Sequence, residues 1–360
     1  MSACLVIVSL LYGLKYVGAV CLHHQCSFSN GLLSQDISSE INQLVEPNIK
    51  HNLLQIITWN INSENNQTEE ADWENSKKEL CEYLKKLDLM IFAMQELTES
   101  QLKFMTLCLP HYSYVEPEKK RSTNSRLNSI FYKRTHFLKK IDSGTFWLSK
   151  TPNIPFTKVH NSVEEQTCTW IKFQYAVKLN LEPQSQAIEP ISEKLTRLLH
   201  DATGKSFRRP MKMVTRKRFV YSWKKFYVAT TKISNKNADI AENQVKILLN
   251  HLSDEIMDRR SYPLLLAGNI NWEQETSVYD EIKNHKLKLV NTMEFSKKLF
   301  PRPSIIEIVN GEEKPNAKLT DQIWNTGFSN LLSGTLIDKS SQGVGFSDHR
   351  AVFAAVLLEH

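Results

Sequence analysis

The sequence predicts an α+β domain built as a four-layer sandwich, two mixed β-sheets packed face to face with helices on their outer sides. Three observations predict it. Short apolar runs of strand length recur at 54–59, 89–93, 129–132, 137–141, 169–176, 226–231, 264–267 and 351–358. They outnumber the helical stretches, and the strict β-α alternation that would predict a doubly wound sheet is not sustained. Four short polar strings, ITWNIN at 57–62, FAMQEL at 92–97, GNIN at 268–271 and SDHR at 347–350, each fall where such a run ends or begins. One rim of a sheet would therefore carry them together.

In chain order, residues 1–21 are apolar, with the small residues Gly18 and Ala19 near their end, and suit a secretory signal peptide, although Lys15 interrupts them and no basic cluster precedes them. This implies a secreted or lumenal protein, with which the sequon Asn66-Gln67-Thr68 is consistent. Residues 22–50 show no sustained period and read as a spacer with at most one short helix. A single domain then spans 53–358. Strand 54–59, a helix at 73–87 with Leu80, Tyr83, Leu84 and Leu87 on one face, and strand 89–93 make one β-α-β unit. Residues 98–109 suit a second helix with Thr98 as its N-cap. A long helix at 237–256 lies between the strands at 226–231 and 264–267. Beyond the leader no segment offers the 20 or so apolar residues that a membrane span needs.

The chain of 360 residues is 41% hydrophobic, ample for a packed core, which excludes a disordered protein. Its net charge of +6 is unevenly placed: residues 178–225 hold twelve Lys or Arg against four Asp or Glu. We read about 180–225 as a basic insertion between two core strands, in which Arg208, Arg209, Arg216, Lys217 and Arg218 would meet a polyanion such as nucleic acid. Of six cysteines, Cys26, Cys81, Cys108 and Cys168 belong to the mature chain; no zinc-like spacing appears, and Cys81 and Cys108 are as well read as a disulfide as two buried thiols.

The motifs add a family. Trp59-Asn60-Ile61, Gln95-Glu96, the run GTFWLSKTP at 144–152, Thr169-Trp170 and Ser347-Asp348-His349-Arg350, in this order, resemble the endonuclease/exonuclease/phosphatase superfamily, with its deoxyribonuclease I-like fold, over about 53–358. The resemblance implies hydrolysis of a phosphoric ester assisted by Mg²⁺, or Mn²⁺ in its place, because such chemistry needs a cation on the phosphoryl oxygens, an aligned water and donors for developing charge. It implies Glu96 as chief metal ligand, helped by Asn60 and Asp348. Asn271 would orient phosphate or water, and His349, its tautomer fixed by Asp321, would contact a phosphate oxygen or shuttle a proton.

Three positions depart from the pattern. Where the family reads GDxN, this chain has Gly268-Asn269-Ile270-Asn271, so an amide replaces the carboxylate that would align or deprotonate water. Where many members read TH, it has Thr231-Lys232, an amine in place of an imidazole. Gln166 further replaces the arginine of an RxxTW pattern. These changes predict an attenuated or inactive site retained for binding a phosphorylated ligand or nucleic acid. The alternatives are an active metal-dependent phosphodiesterase or phosphatase with a rewired site, and a polyanion-binding protein acting through the insertion.

Overall fold

The computed structural model describes residues 32–47, 49–61, 69–115, 126–179, 220–257, 262–305, 308–309, 312–313, 318–337 and 347–358. The leader, the sequon and insertion residues 180–219, Arg208, Arg209, Arg216, Lys217 and Arg218 among them, lie outside the described residues. In chain order the strands are β1 (Leu53–Asn60), β2 (Ile91–Leu97), β3 (Tyr112–Tyr114), β4 (Leu127–Lys133), β5 (Leu138–Trp147), β6 (Thr167–Leu179), β7 (Val220–Lys232), β8 (Leu264–Asn269), β9 (Val290–Asn291), β10 (Lys298–Phe300), β11 (Ile308–Val309), β12 (Glu312–Glu313), β13 (Asp321–Thr326), β14 (Phe328–Thr335) and β15 (Val352–Leu358).

They form the two mixed sheets that the sequence predicts. One has the order β10-β14-β15-β1-β2-β4-β3 and the other β5-β6-β7-β8-β13-β9, with β11 and β12 as a separate hairpin. The pairs β1–β2, β7–β8 and β10–β14 are parallel, and the remaining ladders antiparallel. Strand alternation explains the layers. Leu54, Ile56, Ile91, Ala93, Phe226, Val228, Leu265, Ala267 and Ile323 point inward and form the core between the sheets. Their neighbours Ile57, Trp59, Phe92 and Met94 face the other way, onto a layer that includes Leu80, Leu84 and Met105 of the helices Glu69–Leu87 and Glu99–Cys108. On the opposite outer face Tyr227, Ala229, Leu266 and Trp324 pack on Val245, Leu248 and Leu249 of the helix Ala238–His251 and on Val278 and Ile282 of the helix Ser277–Lys283.

Several elements are longer or shorter than their sequence patterns. β5 continues to Trp147 through polar residues, because its edge position tolerates an exposed face. The long helix ends at His251 and passes into a π turn, Leu252–Ile256. Thr98 caps its helix as expected, in a capping box with Gln101. The segment read as a spacer contributes Leu32, Ile37, Ile41 and Val45 to the core, the last three on or beside the helix Ile37–Leu44. Cys81 and Cys108 form a disulfide that ties two helices across a separation of 27 residues, a closure that stabilises by about 3.5 kcal/mol on loop entropy. Cys168 is buried and free. Among the described residues, no helix is long and apolar enough to cross a membrane.

Candidate active site

The same alternation that builds the inner core places the site. Counting outward from Val228, Thr230 and Lys232 fall on the inner face of β7; from Ala267, Asn269 falls on the inner face of β8; Asp321 precedes the inward Ile323 on β13. Register sets them side by side, Lys232 opposite Asn269 and Asn269 opposite Asp321. Across the gap, Asn60 ends β1 on the inner face and is in register with Gln95 of β2. Gln95 joins the two sheets: its Nε2 donates to Thr58 Oγ1 at 2.9 Å and to Thr230 Oγ1 at 2.8 Å.

Glu96 would face outward by alternation. Two features turn it to the rim, a register shift between Met94 and Leu97 and a left-handed backbone, φ 59°. Such a conformation costs a residue with a Cβ roughly 1–3 kcal/mol and persists where its surroundings fix it. Asn128 of β4 does so, accepting the Glu96 N–H at 3.4 Å while its own Nδ2 donates to the Thr167 carbonyl at 2.9 Å. The carboxylate then meets Lys232 Nζ at 2.7 Å, each side chain only 8% exposed.

Lys232 is fixed as firmly. Thr231 Oγ1 donates to the Thr167 carbonyl at 2.9 Å, and Ile233 N donates to the Asn269 carbonyl at 2.9 Å. Asn271, also left-handed at φ 66°, donates Nδ2 to the Ile233 carbonyl at 2.6 Å. Its amide nitrogen thus holds the Lys232 segment, a structural use beside the expected contact with phosphate or water. Gly268 permits the close approach of β8 to β7, since a Cβ there would lie 2.3 Å from the Thr231 carbonyl oxygen.

The second pair is His349 and Asp321. Nδ1 donates to Asp321 Oδ2 at 2.7 Å. Burial opposes the imidazolium, but the Asp321 carboxylate, by charge and hydrogen bond, and the charge of Asp348 outweigh it against the nearby Lys232 ammonium, leaving the pKa raised to about 8. Ser347 Oγ donates to the Asn60 carbonyl at 2.8 Å and accepts His349 N–H at 3.0 Å, while Trp59 Nε1 donates to the His349 carbonyl at 2.9 Å. Ser304 Oγ accepts the N–H groups of Thr320 and Asp321 at 2.9 and 3.0 Å. Half-buried Asp348 places Oδ1 3.3 Å from the same Ser347 Oγ, as a second, longer acceptor for that one hydroxyl hydrogen.

The fold therefore brings Lys232, Glu96, Asn269, Asp321 and His349 to one rim, with Asn60, Asn271 and Asp348 in the segments beside them. Asn269 is fully buried, and neither its Oδ1 nor its Nδ2 has a partner; Asp321 Oδ1 is likewise unpartnered. Polar atoms so placed are costly unless a bound group satisfies them. Among the described residues, no group of three or more His, Cys, Asp or Glu is placed to hold a metal ion. A cleft of about 750 Å³ lined by residues such as Lys150, His160, Asn243 and Asp254 contains none of the rim residues. Asn128 and Ser304, which hold Glu96 and Asp321, carry no signal in the sequence: a lone Asn or Ser beside an apolar run is ordinary.

Solved structures share this architecture. An endonuclease/exonuclease/phosphatase from Bacteroides vulgatus superposes with a TM-score of 0.64 at 17% identity, covering 85% of this chain and 99% of its own. A mannosyl-6-phosphatase from Bacteroides thetaiotaomicron gives 0.63 at 19% identity, covering 84% and 99%. TDP2 of D. rerio, complexed with a single-strand DNA product, gives 0.55 at 12% identity, covering 84% and 98%. No curated protein matches the chain by sequence. With the two-sheet fold, the rim and a family profile that matches residues 57–349, most of the chain's length, the protein belongs to the Endonuclease/Exonuclease/phosphatase family.

Proposed function

We propose that this chain is a phosphoester hydrolase-family protein whose turnover is attenuated and whose rim is kept for binding a phosphorylated ligand. The observation that carries this is Asn269, an amide on the inner face of β8 between Lys232 and Asp321, where the family pattern puts a carboxylate. An amide takes no proton from water at neutral pH, and loss of a positioned base costs roughly 10²–10⁴ in rate. Members of the family typically use divalent metals. The donors at this rim do not fit one: Glu96 is engaged by Lys232, Asp321 by His349, and Asn269 carries no charge. What remains offers donors to an anion: the Lys232 ammonium and the unpartnered Asn269 amide on strands in register, and the His349 ring beside Asp321 on the next strand.

The test is hydrolysis of a simple phosphodiester, single-stranded DNA and RNA with Mg²⁺ or Mn²⁺, comparing wild type, Asn269→Asp and Glu96→Ala. Silent wild type with a gain in Asn269→Asp is expected; wild-type turnover abolished by Glu96→Ala would overturn attenuation and favour a rewired enzyme. The intact His349–Asp321 pair supports that second possibility. Polyanion binding through the insertion has one structural support, Trp223 exposed at the root of the insertion with Lys139 Nζ 4.6 Å from its ring centroid. Binding that weakens steeply with salt and falls on charge reversal at Arg208, Arg209, Arg216, Lys217 and Arg218 would favour it. A secreted or lumenal location is part of the proposal; the Cys81–Cys108 disulfide supports an oxidising compartment.

A further inference from the structure

The contact between Lys232 and Glu96 joins two different sheets and is imposed by the backbone on both sides. Glu96 reaches the rim only because its strand is bulged and its own φ is left-handed, and Asn128 holds its N–H there. Lys232 lies between Thr231 and Ile233, each hydrogen-bonded to a neighbouring strand or loop. Neither partner is a surface side chain that meets the other by chance. Mg²⁺ on Glu96 would need a carboxylate oxygen at about 2.0–2.1 Å and several further oxygens around it. Here Oε2 faces an ammonium at 2.7 Å. A second positive charge beside that ammonium, in a space so nearly closed to water, would be strongly repelled. Neutral Asn269 beside Lys232 also lowers the negative charge that would draw a cation in.

We infer that the Lys232 ammonium replaces the divalent cation in this chain: the rim holds a phosphate ester through Lys232 with no metal on Glu96, and removing that one ammonium turns Glu96 into a divalent-cation site. The inference deepens the function proposed above and rests on its anion-binding rim. It accounts for a family rim that keeps its glutamate and yet, among the described residues, groups no three His, Cys, Asp or Glu to hold a metal ion. It also assigns the amine at position 232 a specific task, neutralising Glu96 while offering N–H donors to the ligand.

Two binding measurements on the full chain test it, and neither reads turnover. Mn²⁺ uptake is followed by the spin-resonance signal of the free ion, and inorganic phosphate binding by calorimetry in EDTA. Wild type is expected to take up no stoichiometric Mn²⁺ at roughly 1 mM, a range in which weak protein sites still bind. Lys232→Met should gain one site, at least about tenfold tighter than any uptake by wild type. Lys232→Gln, which keeps a donor for Glu96, should do the same and serves if Lys232→Met does not fold. The double change Lys232→Gln with Glu96→Gln should lose the gain. Phosphate should bind wild type in EDTA and weaken at least about tenfold in Lys232→Gln. Wild type that binds Mn²⁺ as tightly as the variants, a folded Lys232→Gln that gains none, or phosphate binding abolished by EDTA would each overturn the inference. Hydrolysis by a wild type that takes up no Mn²⁺ would end the attenuation and leave the replacement standing. Mn²⁺ held on Glu96 by a silent wild type would do the reverse.

Discussion

Two buried pairs of charged residues stand at the same rim, and they are built for different work. His349 and Asp321 join an imidazole, its pKa raised to about 8, to an aspartate whose backbone N–H is held by Ser304. Lys232 and Glu96 join a lysine to a carboxylate across the gap between the sheets. The first pair is the one the family pattern leads one to expect; the second arises where that pattern has an imidazole and a metal ligand. The backbone around both pairs is regular, with β7, β8 and β13 in register. The two pairs differ in their charge carriers, an imidazole in one and an ammonium in the other. One rim can thus hold a pair whose charge follows pH beside a pair that neutralises itself.

The largest effect should come from breaking the second pair. Glu96→Gln removes one partner of a contact in which both side chains are 8% exposed, leaving the ammonium without its counterion at a cost of about 3–5 kcal/mol. Lys232→Met combined with Glu96→Gln removes both charges and should lie within about 1 kcal/mol of wild type. Urea unfolding of the three proteins measures this, and a Glu96→Gln midpoint equal to wild type would show that the pair is not a buried one. Next in size is the effect of restoring the family carboxylate. Asn269→Asp should raise phosphodiester hydrolysis by roughly 10²–10⁴ if the rest of the rim is assembled. If the Lys232–Glu96 contact is the stronger block, the gain appears only when Lys232→Gln is added, and rates of the single and double variants separate the two departures.

Much of the fold was legible because it rests on period-2 runs long enough to read, such as 54–59 and 264–267, and on one capping residue, Thr98. The short strands β9 and β10 were not, since two or three residues carry no period, and β13 and β14 were not because Asp321–Thr326 and Phe328–Thr335 mix polar with apolar residues without a clean alternation. The residues of the rim were legible through their order along the chain. Their partners were less so. Asp321 with His349 came from the family pattern, whereas Lys232 meeting Glu96 depends on a bulge and a left-handed φ that no spacing announces. Asn128 and Ser304 act through single hydrogen bonds to backbone, and any polar residue of similar size would look the same in sequence. Asn271 reads as a ligand contact in sequence, but its Nδ2 holds the Ile233 carbonyl.

The smallest effect concerns the first pair and is set by pH. The pKa of His349 in the folded chain is raised to about 8, above the ordinary histidine value of about 6.5, so the native state keeps a proton that the unfolded chain releases between those values. Its stabilisation is whole below about pH 6.5 and is lost as pH rises through about 8, a change of about 2 kcal/mol in total. His251 acts in the opposite sense and in a different window: burial lowers its pKa, so its contribution is lost as pH falls below the ordinary histidine value. Subtracting the stability profile of His349→Gln from that of wild type isolates the first pair. A difference that declines between pH 6.5 and 8, together with an imidazole resonance titrating near 8, is expected; a flat difference would mean that Asp321 does not hold the proton on His349. Asp321→Asn should bring the same resonance down, because the carboxylate is what outweighs the cost of burying the charged ring. The rim would then contain one pair whose charge follows pH between 6.5 and 8, and phosphate affinity measured across that range would show how much of the anion's hold comes from His349 and how much from Lys232.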